Sequence, residues 1–312
     1  MAHNVETMAY AGKVPWHGLG YRVPMDLTPD QMLEAASLDW TVTKVPIYYQ
    51  IDDDGTELEV PNRFALIRES DGSYLDTVGP AWRPLQNKEA FKFFHDFVMQ
   101  GDMDMHTAGS LQNGKIVWAL AKIKESFTVA GDDEIEQYLL FVNPHKRGKA
   151  IEVRSTNVRV VCNNTMDFAL ESESTRRITV AHNQAWDEDY VKEMLHLAHS
   201  VSSKYVEQAQ FLASKQYLHP TLESFMDKIF PNTGASSERS RNANRALEVI
   251  HEQPGAEMAE GSWWQAFNAV TYLTDHEMGR TTDTRLTSAW FGQNRTRKAK
   301  ALKLATEYAE AA

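Results

Sequence analysis

The spacing of apolar residues changes about half-way along this chain. Up to about residue 165, short segments alternate apolar and polar side chains, and Gly, Asn and Asp residues separate these segments. A period of two is typical of half-buried strands. From Trp186 onward, apolar residues recur every three or four positions, which is the period of amphipathic helices. The sequence therefore predicts an α+β protein, with an antiparallel β-rich sheet domain over residues 1–180 and a mostly helical region over 181–312.

Local signals predict individual elements in the first region. Thr28 followed by Pro29 predicts the start of a short helix, because threonine caps helices and proline is tolerated in their first turn. Residues 40–51 alternate as a strand, and residues 63–78 read as a hairpin. Asn87 is predicted to cap an aromatic-rich helix. Together these signals favour a sheet with packed helices.

Composition limits the classes of protein to which the chain can belong. A chain of 312 residues can bury the core of one large domain or of two smaller ones. Its formal net charge is -11, so a nucleic-acid site has to be a local basic patch on an acidic body. Cys162 is the single cysteine, which excludes an internal disulfide and a cysteine-rich zinc site. We interpret its thiol as a buried packing group.

The sequence also limits where in the cell the protein is expected to act. Residues 1–20 contain Glu6, His17 and several glycines where a signal peptide would need an unbroken apolar stretch. No window of the sequence reaches membrane-spanning length. We therefore expect a cytoplasmic protein with no membrane partner.

The segment 144–165 carries the strongest indication of a binding site. Residues 144–149 form a basic turn between two predicted strands, and residues 163–165 offer an N-cap for a following helix. A basic turn beside a helix N-terminus is a plausible phosphate-binding edge. An aromatic loop upstream could add a stacking surface. The predicted nucleic-acid-binding residues are Lys146, Arg147, Lys149, Arg154, Arg159, Trp82 and Arg83.

An alternative interpretation of the two strand arginines remains open. Arg154 and Arg159 could instead pair with carboxylates such as Glu152 or Asp167. In an unbroken strand the two arginines face opposite sides, because they are an odd number of residues apart. Only a bulge between them would bring both to one face.

No catalytic motif competes with this binding site, and no cofactor is expected. The sequence contains no Walker, dinucleotide-binding, nucleophile-elbow or zinc-protease motif, so an enzyme is the less favoured interpretation.

One enzyme alternative is a metal site in the helical region, because two Glu-x-x-His pairs have the spacing of di-iron helices. A further alternative is a self-assembling interaction protein with an aromatic inter-subunit surface. The metal alternative uses Glu193, His196, Glu248 and His251, and the assembly alternative uses Trp263, Trp264, Phe267, Trp290 and Phe291.

Several longer segments carry a family resemblance. In chain order they are SLDWTVTKVPIYY, RFALIRESDGSYLDTVGPAWRPLQNKEAF, AGSLQNGKIVWALAKI, VRVVCNNTM, WWQAFNAVTYLTDHE and SAWFGQ. This series strongly resembles the phage/plasmid-like family known as domain of unknown function 932, from about Trp16 to the C-terminus. The resemblance implies a bacteriophage, plasmid or integrative-element origin, a location inside the bacterial host cell, and no established activity.

The order of elements is also similar to that of another group of proteins. A helix, a strand, a hairpin, further strands and a helix resemble the core of single-strand annealing recombinases of the Redβ, Erf and Sak kind. That resemblance is one of fold only, and it implies rings or filaments that hold single-stranded DNA in a basic groove without cofactor chemistry. We therefore expect a non-enzymatic single-stranded DNA-binding or recombination accessory protein that forms a homo-oligomer.

Overall fold

A computed structural model describes most of the chain. The described residues are 5–12, 19–52, 55–159, 164–166, 177–232, 238–281, 284–285, 288–289 and 292–311. At positions 125, 156–159, 164–166 and 194–204, only the backbone is described.

The strands form two sheets. Eight of them make one sheet with the order β10-β9-β8-β7-β6-β1-β2, in which β11 also pairs with β9. The other three make a sheet with the order β3-β4-β5. The strands are β1 (Val5–Ala11), β2 (Tyr21–Val23), β3 (Val42–Gln50), β4 (Glu57–Arg68), β5 (Ser73–Val78), β6 (Met103–Leu111), β7 (Ile116–Thr128), β8 (Glu134–Pro144), β9 (Ile151–Arg159), β10 (Asn164–Met166) and β11 (Arg177–Val180).

The longer helices follow the strands, and three short ones lie among them. This distribution confirms the predicted α+β class, with an N-terminal sheet and a mostly helical C-terminal region. A 3-10 turn (Ala256–Ala259) and a π-helical turn (Leu273–Glu277) flank the Trp-rich helix. The α-helices are α1 (Pro29–Ala35), α2 (Asn87–Lys92), α3 (His95–Met99), α4 (Glu188–Ser214), α5 (His219–Ile229), α6 (Arg241–Glu252), α7 (Trp263–Tyr272) and α8 (Gln293–Glu310).

The chain divides into two compact units that are discontinuous in sequence. Unit 1 comprises Met1–Lys124, Leu139–Arg154 and Arg177–Glu193, and unit 2 comprises Glu125–Tyr138, Ser155–Arg176 and Met194–Ala312. The predicted domains, 1–180 and 181–312, rest on the change from strand to helix, and this division stays a prediction.

Each unit has an aromatic core of its own. In unit 1, the ring of Phe141 contacts Phe93 and Trp186, at centroid distances of 5.5 and 5.3 Å. In unit 2, Trp263, Trp264 and Phe267 are buried in a large apolar cluster. The assembly alternative is therefore wrong for these three residues, because packing within unit 2 covers them, as the helix-core interpretation of the sequence predicts. Trp290 and Phe291 lie outside the described residues, as does Cys162.

Local chemistry explains where α1 begins. The hydroxyl of Thr28 accepts a hydrogen bond from the backbone N–H of Gln31, and the Gln31 side chain accepts one from the backbone of Thr28. This reciprocal capping box satisfies two N–H groups that a helix end leaves without partners. With Pro29 in the first turn, it confirms the predicted helix start.

Two predicted helix caps are wrong. Gln86, and not Asn87, precedes α2, and its backbone N–H donates to the Glu89 carboxylate. Asn87 is instead buried, and its side-chain amide donates to the backbone carbonyls of Leu38 and Trp40, between α1 and β3. Asn164 begins β10, which pairs with β9, so Asn164 and Thr165 do not cap a helix. Asn163 lies outside the described residues.

Candidate nucleic-acid interface

The predicted basic turn connects β8 to β9 in unit 1, and backbone groups hold it in place. The N–H of His145 donates to the carbonyl of Lys115 at 2.8 Å. The N–H of Arg147 donates to the Asp76 carboxylate at 2.9 Å. The Arg147 and Lys149 side chains are exposed, and that of Lys146 is half-buried. Because backbone atoms anchor the turn, its side chains can serve binding without a structural role.

An exposed tyrosine and a fourth cation lie beside this turn. The ammonium of Lys115 is 5.9 Å from the centroid of the Tyr74 ring, a cation–π distance. Tyr74 is 54% exposed, and it lies in β5, two residues before the Asp76 that holds the turn. Lys146 donates to the side chain of Gln112 in the β6–β7 turn, which also carries Lys115. We call Tyr74, Lys115, Lys146, Arg147 and Lys149 the basic surface.

Buried polar groups support the turn from below. Nε2 of His145 lies 2.9 Å from Oδ1 of Asn87, whose amide nitrogen donates to the Leu38 carbonyl at 3.0 Å. The bond to Leu38 fixes the orientation of the Asn87 amide, so Nε2 is the protonated nitrogen of the imidazole. The amide of Asn143 donates to the Leu85 carbonyl at 2.8 Å. These bonds fasten the end of β8 to the segment that precedes α2.

Burial makes His145 sensitive to acid. Its side chain is fully buried, and loss of solvation lowers its pKa to about 3, with a smaller contribution from His182. In the unfolded chain a histidine has a pKa of about 6.5, so below that pH the unfolded state binds a proton that the folded state does not. Stability contributed by neutral His145 is therefore complete above about pH 6.5 and decreases as the pH falls toward 3.

We expect this linkage to lower the free energy of unfolding of the wild-type protein by about 2 kcal/mol between pH 7.5 and about pH 5. The His145→Gln variant should lose that part of the pH dependence, although it is less stable at neutral pH. Urea unfolding at both pH values measures the difference. The exposed His251→Gln variant is the control and should keep the wild-type dependence. Equal pH dependence in the wild type and His145→Gln would contradict this role of His145.

The predicted aromatic loop lies at the base of the same turn. The Trp82 ring stacks on His182 with centroids 4.1 Å apart, so one face of the indole is covered. The backbone N–H of Arg83 donates to the His182 carbonyl at 2.8 Å, while the Arg83 side chain is exposed. Burial lowers the pKa of His182, and hydrogen bonds to the carbonyls of Arg83 and Pro144 partly oppose that shift. Trp82 is therefore chiefly a packed anchor of its loop, and His182 links this loop to the start of the turn.

The structure separates Arg154 from the turn. Arg154 is only 3% exposed, and its Nε lies 3.2 Å from the Glu152 carboxylate. Arg177, its partner in β11, lies 3.9 Å from the same carboxylate. The phosphate-binding role predicted for Arg154 is therefore wrong, because a buried guanidinium beside a carboxylate is not accessible to a nucleic acid. The side chain of Arg159 lies outside the described part of the chain, and its role stays a prediction.

The residues of the metal alternative do not form a cluster where the structure describes them. Glu248 binds Arg245 at 3.0 Å, and His251 is exposed. Glu193 is also exposed, and the side chain of His196 is not described. Within the described ranges, no group of three or more His, Cys, Asp or Glu side chains is placed to hold a metal ion.

Sequence reasoning missed Tyr74 and Lys115. Both lie next to hairpin turns, where the pattern of the sequence indicates only strand and turn residues. The alternation of apolar and polar residues around Tyr74 and Lys115 predicts that these side chains face solvent. This was the one signal that the sequence offered for them. Their proximity to the basic turn depends on the pairing of distant strands, and a single sequence does not contain it.

Fold and surface together define an acidic α+β protein with a local basic surface. The chain matches the family described as Domain of unknown function (DUF932) over residues 74–302, and it belongs to that family. No curated protein and no solved structure matches it. Among the described helices, none combines the length and apolarity needed to cross a membrane.

Proposed function

We propose that this protein binds single-stranded DNA at the basic surface, without catalysis. The observation that carries the proposal is a turn with three cations, anchored through the backbone N–H of Arg147 on Asp76, beside the exposed Tyr74, whose ring centroid is 5.9 Å from the Lys115 ammonium. Phosphate neutralisation and base stacking are the two main sources of sequence-tolerant affinity for single strands. The basic surface offers both within one small area of unit 1.

The charge distribution favours a short contact. The chain as a whole has a charge of -11, so repulsion from the acidic body limits binding to the nucleotides that touch the basic surface. Asp76 lies among the cations, but its carboxylate is occupied by backbone N–H groups of Arg147 and Thr77. Arg147 and Lys149 are the exposed cations of this surface, while Lys115 and Lys146 are half-buried at its edge.

The proposal includes a biological setting. A recombination accessory role in a phage, plasmid or integrative element is what the family resemblance of the sequence implies, together with the resemblance of its predicted element order to Redβ-type annealing proteins. Such a protein would act in the cytoplasm of a bacterial host. The binding experiment below tests the molecular part of this proposal.

We expect the combined Lys146→Ala, Arg147→Ala and Lys149→Ala variant to lose affinity for a fluorescent oligothymidine on the order of 100-fold at low salt. The salt slope, d log K/d log[salt], should also fall by about 2, because each lost phosphate contact removes about 0.7. Fluorescence anisotropy titrations over a series of salt concentrations measure both quantities. The backbone anchors of the turn, the N–H groups of His145 and Arg147, are retained in this variant.

The matched control removes the same charge elsewhere. Arg241, Lys300 and Lys303 are exposed cations of α6 and α8, and changing all three to Ala should leave the affinity within a few-fold of wild type. Absence of wild-type binding at low salt, or equal losses in the two triple variants, would refute the proposed interface.

A further inference from the structure

A bulge in β5 determines the direction of the Tyr74 side chain. β5 lies at the edge of its sheet and pairs with β4. Leu66 of β4 pairs with Asp76 of β5, and the next residue of β4, Ile67, pairs with Tyr74. Leu75 is therefore an extra residue in β5, and this bulge turns Tyr74 to the face opposite the one that a regular strand would give it. Bulges at sheet edges often re-aim a side chain beside a functional site.

Two contacts hold the ring in this direction. The hydroxyl groups of Tyr74 and Thr77 form a hydrogen bond of 2.9 Å. In a regular strand two residues three positions apart lie on opposite faces, so this bond depends on the bulge. The ammonium of Lys115 lies 5.9 Å from the ring centroid. Because a tyrosine has only two side-chain torsions, these contacts order the ring at a small cost in entropy before any ligand binds.

The Tyr74 ring stays accessible to solvent in spite of these contacts. Tyr74 is 54% exposed, while its neighbour Leu75 takes the buried position at this point of β5. In the other cation–π pairs within the described ranges, the ring is buried or half-buried. The Tyr74 ring is therefore available to a ligand that presents a flat face.

The cations around this ring indicate the chemistry of the ligand. Lys115 lies beside the ring, and Arg147 and Lys149 are exposed on the basic turn. An aromatic platform next to cations suits a nucleobase that is joined to phosphates, because the base can stack while the phosphates meet the cations. In a duplex, proteins reach the edges of the bases in the grooves. The face of a base becomes accessible only when that base leaves the stack.

We propose that Tyr74 stacks on one unpaired base, so that an accessible base is a requirement of the ligand. The basic surface then binds single strands in preference to duplex DNA and to a phosphate chain without bases. Since every base has a π-face, we expect no dependence on base identity. This inference rests on the proposed function, and it names the group that the site recognises besides phosphate.

Two oligonucleotides of equal length and charge test the proposal with the full chain. One is a fluorescent oligothymidine, and the other carries abasic tetrahydrofuran residues throughout. Anisotropy titrations at low salt should show that the wild type binds oligothymidine about 10-fold more tightly than the abasic chain. Tyr74→Ser should lose about 10-fold in affinity for oligothymidine and bind the abasic chain like the wild type. Its salt slope should not change, because no phosphate contact is removed.

Two further variants serve as controls. Tyr48 is also 54% exposed but lies on β3, outside the basic surface, so Tyr48→Ser should bind both oligonucleotides like the wild type. Tyr74→Phe keeps the ring and removes the hydroxyl, so its preference for oligothymidine should stay within about 3-fold of wild type. Far-UV circular dichroism verifies folding, and Tyr74→Leu replaces Tyr74→Ser if that variant misfolds.

The outcomes distinguish a failure of this inference from a failure of the proposed function. If the wild type binds both oligonucleotides equally while the combined Lys146→Ala, Arg147→Ala and Lys149→Ala variant loses affinity, stacking is overturned and the phosphate site stands. Equal losses of Tyr74→Ser on both oligonucleotides also overturn stacking, because Tyr74 would then act by positioning Lys115. Absence of wild-type binding to either oligonucleotide overturns both proposals.

Discussion

Replacing Lys298 with methionine is expected to lower the free energy of unfolding by about 3 to 5 kcal/mol. Lys298 lies on α8 without solvent exposure, and its ammonium is 2.9 Å from the carboxylate of buried Asp275. Methionine matches the volume of the aliphatic stem but removes the positive charge. The buried carboxylate of Asp275 then loses the ammonium at 2.9 Å, and removing one member of a buried ion pair costs more than the pair itself contributes.

A double-mutant cycle separates the charge effect from packing. The combined Asp275→Asn and Lys298→Met variant should recover most of the loss, because neither charge is then left buried without its partner. Lys303→Met, at an exposed position of the same helix, should change stability by less than about 0.5 kcal/mol. Urea unfolding followed by circular dichroism measures the wild type, both single variants, the double variant and the Lys303→Met control. A loss below about 1 kcal/mol for Lys298→Met would contradict the structural role of this pair.

The second large effect is expected at Trp264, whose replacement with alanine should destabilise the protein by about 3 to 5 kcal/mol. The indole is fully buried in unit 2, in ring contact with Tyr205 and Phe267. Its Nε1–H also donates to the Asp133 carboxylate at 2.8 Å. Asp133 lies in the β7–β8 turn, so Trp264 joins that turn to the helical core of the same unit.

The Trp264→Phe variant isolates the hydrogen bond. It retains most of the apolar volume but leaves the buried Asp133 carboxylate without the indole donor, so we expect a loss of about 1 to 3 kcal/mol. Denaturant unfolding gives both free energies, and near-ultraviolet circular dichroism reports the packing of the remaining aromatic rings. If the Phe variant were as stable as the wild type, the bond to Asp133 would not contribute to the fold.

The first prediction concerns a residue that a single sequence does not single out. Lys298 lies in a run of basic residues at the start of α8, where a solvated face is the ordinary expectation. Its period with Asn294, Ala301 and Leu302 does place it on the buried stripe of the helix. The period alone, however, does not identify Asp275, because that carboxylate is supplied by a separate helical turn.

The binding site also combines residues that the sequence predicts with residues that it does not predict. The basic turn could be predicted because Pro, Gly and a run of cations between two alternating segments carry their own turn chemistry. Its neighbours Tyr74 and Lys115 could not be predicted, since they come from other strands. The burial of Arg154 was an open alternative, and the position of Glu152 and β11 decided it.

The sequence by itself determined the α+β class, the order of most strands and helices, and the position of the basic turn. These features depend on residues a few positions apart, through hydrophobic period, capping and turn propensity. Only the tertiary structure decided which cations remain in solvent and where Asn87 directs its amide. Those outcomes depend on pairing between segments far apart in the chain, because burial and partner choice are set by long-range contacts that local propensity does not encode.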